Sequence, residues 1–170
     1  MTIAAYLDAI KERFVTDPIV TSFHVIRERS TLVDGHLRAR LMLANSSQIE
    51  FSEYMQRSPT GGIAVITYSY HWADADNQLI TRWDNTPHFP DLPGFPDHIH
   101  DAATGEVTPG QPMSIFAVLD AIAERSRYRI AGVYIGSSLR ALSSKIIFDE
   151  ERWREENIAA LPRSLCYLNG

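Results

Sequence analysis

The chain has 170 residues, an apolar fraction of 45% and a net charge of −5 at pH 7, a composition that indicates one folded domain and excludes a disordered chain. The acidic balance argues against a broad basic surface of the kind that grips duplex nucleic acid. A single cysteine, Cys166, excludes an internal disulfide and a cysteine-based zinc site, so we expect a reducing, cytoplasmic compartment. No apolar run approaches the length of a membrane span.

The first half of the chain predicts one helix followed by a series of strands. Apolar residues from Ile3 to Phe14 recur at helical spacing, and Asp17-Pro18 ends the helix because the residue before proline avoids the α region. Strands are predicted over about 20–30, 36–44, 48–57, 63–72 and 79–84, with turn sequences between them. Short turns join neighbouring strands, so we expect an antiparallel meander of about five strands.

The second half predicts a loop, a helix and a terminal extension. Residues 84–111 have the composition of a loop, and residues 114–127 form a helix with one apolar face. The segment after Arg127 is either a strand or a buried helix, and a charged helix follows at about 150–161. We therefore predict an α+β fold in which the two first helices cover the meander. Residues 1–127 should form one domain, and 128–170 a C-terminal helical extension that could pack on it.

Chemistry is expected within residues 68–100, which hold four of the six histidines and two of the three tryptophans. Histidine changes charge near neutral pH and is the commonest metal ligand. Binding and catalytic residues also favour loops that a rigid scaffold holds in place. The structural alternative is a β-hairpin with aromatic pairs, followed by a proline-rich surface loop with exposed histidines.

A turn at 74–77 predicts the register of the hairpin. One face would pair Tyr68 with Trp83, Tyr70 with Thr81, and Trp72 with Leu79, which we interpret mainly as core. The other face would place Ser69 opposite Arg82 and His71 opposite Ile80, so that His71 and Arg82 are diagonal neighbours. Asp84 shares this face. An arginine with a histidine and an aspartate nearby is typical of phosphate binding and proton transfer, although a solvated Arg82–Asp84 ion pair is the alternative.

The loop carries three histidines. A turn after Asn85 presents His88, and Phe95-Pro96 stiffens the approach to His98 and His100. An HxH pair on an extended segment points both imidazoles the same way, so it could chelate a metal or act in acid–base catalysis. No third ligand stands at a diagnostic spacing, and we therefore predict neither a metal nor another cofactor.

Glu53 occupies the apolar row of its strand, among Ile49, Phe51 and Met55. A carboxylate in a core-facing row needs a partner, and Arg82 is the candidate if the two strands are adjacent. The functional interpretation is a site carboxylate with a raised pKa. The alternative is a strand edge at which Glu53 reaches water.

Three segments, YSYHW, LITRWDNTPH and FPDHIH, together resemble the TumE-like family of small prokaryotic toxins, over about residues 20–127. The matching positions are Arg82-Trp83-Asp84-Asn85, Pro87, His88, Phe95, Pro96, His98, His100 and the pair Glu53-Tyr54. Two positions depart: Phe89 and Asp97 stand where the family often has histidine, which counts against a mechanism that needs a dense histidine cluster. The resemblance implies a cytoplasmic toxin that a partner antitoxin with a helix-turn-helix domain neutralises.

The favoured hypothesis is a toxin that acts on RNA as a metal-independent endoribonuclease, although the acidic net charge counts against RNA binding. The histidines would supply base and acid, Arg82 would hold the phosphate and Asp84 would orient a side chain. The predicted catalytic residues are Arg82, Asp84, His88, His98, His100 and Glu53; the predicted substrate-binding residues are His71, Asn85 and Tyr54. The alternatives are a non-enzymatic protein-binding module and a metal-dependent hydrolase or nuclease that uses His98 and His100. Self-association is left open.

Overall fold

A computed structural model describes residues 1–130 of the chain. The elements, in chain order, are α1 (Ile3–Thr16), β1 (Val20–Ser30), β2 (Asp34–Leu43), β3 (Gln48–Arg57), β4 (Ile63–Ala73), β5 (Leu79–Asp84), β6 (His98–Asp101), β7 (Glu106–Pro109) and α2 (Ile115–Ile130). The seven strands form one antiparallel sheet in sequence order. The predicted α+β class is confirmed, and the predicted elements beyond residue 130 lie outside the described residues.

Both helices pack on the same side of the sheet. At the start of α1 the Thr2 side chain accepts a hydrogen bond from the Ala5 N–H at 3.1 Å, and at its end Asp17 is the C-cap. The N-cap contact satisfies one of the backbone N–H groups that the first turn leaves unpaired. The buried row of α1 and the row Ile115, Val118, Leu119 and Ile122 of α2 belong to one apolar core. The Tyr6 ring of α1 meets the Phe116 ring of α2 edge-on, with centroids 6.0 Å apart.

The sheet has two unlike faces because buried and partly exposed residues alternate along its central strands. In β2 and β3 the buried row includes Leu37, Leu41 and Phe51, and in β4 it includes Tyr68 and Tyr70. These side chains form the core beneath the helices. The opposite side of the sheet, which we call the polar face, presents mostly charged, histidine and hydroxyl side chains.

The β4–β5 hairpin has a different register from the predicted one. Tyr70 pairs with Trp83, His71 with Arg82, Trp72 with Thr81 and Ser69 with Asp84, a shift of two residues. The turn closes between the Asp74 N–H and the Gln78 carbonyl at 2.9 Å, one residue later than expected, and Ile80 is an extra residue in β5. The later turn and the extra residue together shift the pairing by two residues, so each aromatic side chain stays on the predicted face. Leu79, however, pairs with Ala73 and not with Trp72.

The predicted loop 84–111 contains two further strands, β6 and β7. Each has four residues, and proline and glycine around them hide the two-residue alternation that identifies a strand. Within residues 1–130, neither helix is long and apolar enough to cross a membrane.

Candidate functional site

Two residues of β5 and two of β6 face each other on the polar face. In the antiparallel pairing Arg82 lies opposite His100, and Asp84 lies opposite His98. Alternate residues of a strand point to the same side, so the Arg-x-Asp and His-x-His sequences present four side chains together. The structure thus brings Arg82 next to the histidine pair.

The segment between β5 and β6 adds a third imidazole, that of His88. Its ring centroid lies 4.5 Å from that of His98 and 5.9 Å from that of His100. A ring nitrogen of each of the three histidines lies within 4.8 Å of those of the other two. We call His88, His98 and His100 the histidine cluster. His88 stands ten residues before His98, which is not a diagnostic ligand spacing, so only the fold shows that a third imidazole joins the pair.

Phe89 forms an apolar wall beside the histidine cluster. Its ring centroid lies 5.1 Å from that of His98 and 5.6 Å from that of His100. This is one of the two positions at which the TumE-like pattern often has a histidine. The aromatic ring there removes water from the neighbouring imidazoles, which strengthens electrostatic interactions among them.

The tautomer of His98 follows from its hydrogen bond. Its Nδ1 lies 2.8 Å from the Pro96 carbonyl oxygen, which can only accept, so Nδ1 carries the proton and donates it. In the neutral imidazole the Nε2 atom then presents a lone pair. His98 is 1% exposed, and among the described residues its Nε2 has no hydrogen-bond partner. A buried, oriented lone pair suits a general base or a metal ligand.

His100 and Arg82 are electrostatically coupled. Burial lowers the pKa of His100, and the positive charge of Arg82 lowers it further, so the imidazole is neutral at pH 7. Arg82 forms a salt bridge with Asp84, whose side chain is fully buried. Asp84 also accepts a hydrogen bond from the Thr86 N–H at 2.6 Å. The carboxylate therefore fixes the guanidinium beside the histidine cluster.

The three predicted substrate-binding residues occupy different places. His71 lies on the polar face, opposite Arg82 on one side and Glu50 on the other, and burial followed by the charge of Arg82 lowers its pKa. The Asn85 side chain binds backbone, accepting from the Tyr68 N–H at 2.8 Å and donating to the Ile66 carbonyl at 3.0 Å. Tyr54 is on the polar face, but its hydroxyl donates to Asp34 at 3.1 Å, near the β1–β2 turn. Only His71 adjoins Arg82.

Glu53 lies on the opposite side of the sheet from the histidine cluster. It is completely buried and accepts hydrogen bonds from the Tyr70 hydroxyl at 2.6 Å, the Ile115 N–H at 2.7 Å and the Tyr6 hydroxyl at 3.2 Å. The prediction that Arg82 is the partner of Glu53 was wrong, because β4 separates the two strands and the two side chains point to opposite faces. The alternative, that Glu53 reaches water at a strand edge, was also wrong. Burial raises the pKa of Glu53, as predicted, but the residue lies in the core and not at the histidine cluster.

Gly110 positions the catalytic candidate His98. Its role was not predicted from the sequence. A Cβ at this residue would lie 2.8 Å from the His98 backbone nitrogen and 3.0 Å from the Asp97 carbonyl carbon. Its N–H also donates to the Asp97 carbonyl oxygen at 2.9 Å. Close backbone approach of this kind requires glycine. The only sequence signal was a glycine beside two prolines, which indicates a turn equally well.

Replacement of Gly110 by alanine is expected to displace His98 and to lower the activity of the site by about ten- to a hundredfold, because small misplacements of a reacting group have effects of that order. The matched control is Gly62→Ala, since a Cβ at Gly62 would contact nothing within 4 Å. Growth inhibition and thermal melting of both variants are the measurements. Equal activity of Gly110→Ala and Gly62→Ala would contradict a positioning role.

Fold and site together define a small α+β protein with an arginine–histidine cluster on the open side of an antiparallel sheet. The sequence matches the family described as Toxin TumE over residues 9–130, which is more than two thirds of the chain. The chain belongs to the Toxin TumE family, and its role is that of a toxin. No curated protein and no solved structure gives a significant match. The independence of residues 1–127 from 128–170 stays a prediction.

Proposed function

We propose that this toxin is an endoribonuclease that cleaves RNA without a metal ion at the histidine cluster. The observation that carries the proposal is the convergence of three imidazoles within 4.8 Å beside the Arg82–Asp84 pair. Cleavage of RNA needs a base for the 2′-hydroxyl, an acid for the leaving oxygen and a cation for the phosphate. All three kinds of group stand on this one part of the polar face.

The proposed reaction is an internal transfer. The Nε2 lone pair of His98 removes the proton of the 2′-hydroxyl, and the 2′-oxygen forms a bond to phosphorus. The bond from phosphorus to the 5′-oxygen breaks, and protonated His88, which is exposed to solvent, gives its proton to that oxygen. The products are a 2′,3′-cyclic phosphate and a free 5′-hydroxyl. Arg82 binds the non-bridging oxygens, and neutral His100 donates a further hydrogen bond to them.

A metal-independent reaction fits the charges around the histidine cluster. Arg82 already disfavours positive charge on His100, as the lowered pKa of that imidazole indicates, and it would repel a divalent cation in the same way. The carboxylate opposite His98, that of Asp84, is engaged by Arg82. The permanent guanidinium therefore supplies the phosphate-binding charge that a metal supplies in other nucleases.

Cleavage of a defined single-stranded RNA is expected to survive EDTA and to follow a bell-shaped pH profile. Two histidines that share the acid and base roles give two apparent pKa values, which belong to the coupled pair. The measurement is the rate of cleavage between about pH 5 and pH 9, with and without chelator, and identification of the cyclic phosphate. Loss of cleavage on chelation, with recovery on adding a divalent ion, would contradict the metal-independent mechanism and support the metal-dependent one.

A metal-dependent hydrolase is the second candidate, since three convergent imidazoles match the ligand number of catalytic zinc sites, which keep one position open. The Nδ1–Pro96 hydrogen bond of His98 is the kind of contact that orients a ligating imidazole.

We further propose a cytoplasmic location and neutralisation by an antitoxin with a helix-turn-helix domain. The non-enzymatic alternative, a protein-binding loop, predicts that substitutions in the histidine cluster weaken antitoxin binding and leave RNA intact.

A further inference from the structure

The charges of this acidic chain are unevenly distributed over the sheet. All six histidines lie on the polar face: five belong to its strands and His88 is held against two of them. Five arginines of the strands share this face, namely Arg27, Arg29, Arg38, Arg40 and Arg82. Only three carboxylates of the strands accompany them, namely Asp34, Glu50 and Asp84. The polar face is therefore basic although the whole chain has a net charge of −5.

A path of neighbouring residues leads across the polar face from the arginines of β1 and β2 to the histidine cluster, with the ion-paired Glu50 between them. Arg27 of β1 pairs with Arg38 of β2, and Arg38 forms a salt bridge with Glu50 of β3. Glu50 pairs with His71 of β4, and His71 pairs with Arg82 of β5. Adjacent strands are about 4.8 Å apart, so the path from β1 to β6 is about 24 Å long.

The positive charge along this path is only partly neutralised by the protein itself. Arg38 and Arg40 share the single carboxylate of Glu50, and their side chains are 28% and 21% exposed. Arg27 is exposed. Burial lowers the pKa of His36, and the positive charges of Arg27, Arg29 and Arg38 lower it further. Guanidinium groups with solvent access are suited to binding phosphate oxygens.

We propose that a single strand of RNA lies along this path, across β1 to β6, and delivers one phosphodiester to the histidine cluster. The inference rests on the proposed function and extends it to the binding surface. Charge complementarity favours RNA over a protein partner, because this face has few of the large apolar side chains that form the centre of a protein interface. A single strand fits better than a duplex, because its flexible backbone is more easily brought to His98, which is only 1% exposed.

The test is the binding of a fluorescent single-stranded RNA whose 2′-hydroxyls are methylated, so that it cannot be cleaved. The double variant Arg27→Gln, Arg38→Gln is compared with wild type and with Lys11→Gln, which removes one charge from α1 on the opposite side. We expect the double variant to bind about tenfold more weakly at moderate salt. The slope of log affinity against log salt should fall by about 0.7 for each arginine lost, and Lys11→Gln should bind like wild type.

Binding that the double variant retains in full, or that Lys11→Gln loses equally, would overturn the proposal. The proposal would also be overturned if an acidic polyglutamate peptide bound the polar face and the RNA did not, because the face would then be a protein-docking surface. Thermal melting confirms that each variant is folded. Cleavage is measured separately on unmodified RNA, so arginine-dependent binding without cleavage refutes the proposed function and supports this surface as an RNA site.

Discussion

His98→Asn is expected to lose RNA cleavage and toxicity by about a hundredfold or more while the protein stays folded. The asparagine amide can still donate to the Pro96 carbonyl, which His98 Nδ1 does at 2.8 Å, but it has no group in the place of Nε2. General acid–base catalysis contributes about 10²- to 10⁴-fold to a rate. The measurements are growth and total RNA integrity on expression without an antitoxin, and the thermal midpoint of the purified variant.

The matched control is His24→Ala, because His24 lies on the same polar face but on β1, opposite Arg40, several strands from the histidine cluster. His24 takes no part in the proposed proton transfer, so any loss of cleavage should be confined to weaker RNA binding and stay far below that of His98→Asn. Arg82→Lys should be almost as damaging as Arg82→Ala, since lysine cannot make the bidentate phosphate contact. A His98→Asn protein that is folded and fully toxic would eliminate the catalytic role of this imidazole.

Glu53→Ala is expected to lower the free energy of unfolding by about 3–5 kcal/mol, the largest stability effect that we predict for one polar residue. The substitution leaves two buried donors without an acceptor, the hydroxyl of Tyr6 and the N–H of Ile115. The Tyr70 hydroxyl loses its bond to Glu53 and keeps the Met113 carbonyl, 3.2 Å away. Each unsatisfied buried donor costs about 1–3 kcal/mol. Urea unfolding of the purified variant measures the change.

Glu53→Gln is the discriminating control because the amide keeps an acceptor oxygen and carries no charge. Burial raises the pKa of Glu53 in the folded state, so this side chain contributes most to stability when protonated, and that contribution is lost as the pH rises through the raised pKa. Relative to wild type, Glu53→Gln should therefore become more stable as the pH rises above about 4, the ordinary pKa of a glutamate in an unfolded chain. An unchanged difference over this range would mean that Glu53 does not take up a proton on folding.

The strands and helices were predictable where the periodic pattern is long. The helix from Ile3 and the end at Asp17-Pro18 follow from apolar spacing and from proline geometry. The hairpin register was not predictable, because the extra residue Ile80 changes the pairing without disturbing the alternation of side chains. The strands β6 and β7 were missed for a different reason: four residues are too few to establish a period beside proline and glycine.

The site was partly predictable for similar reasons. The two-residue spacing of His98 and His100 on an extended segment fixes their common direction, and Arg82 and Asp84 obey the same rule on β5. The position of His88 depends on the path of the loop, which no local pattern specifies. Glu53 was recognised as needing a partner, but the identity of its partners depends on α1 and α2 packing over the same strand.

The sequence order of the strands has a kinetic consequence. Every strand of the sheet pairs with its immediate neighbour in the chain, so each pairing closes a short loop and loses little chain entropy. Sheets with such local contacts fold faster than sheets built from distant segments. The part that carries Arg82 and the histidine cluster is one short stretch of chain, residues 82–100. Its geometry can therefore form as soon as β4 to β7 have paired and Gly110 lies against His98, before α2 completes the core on the other side.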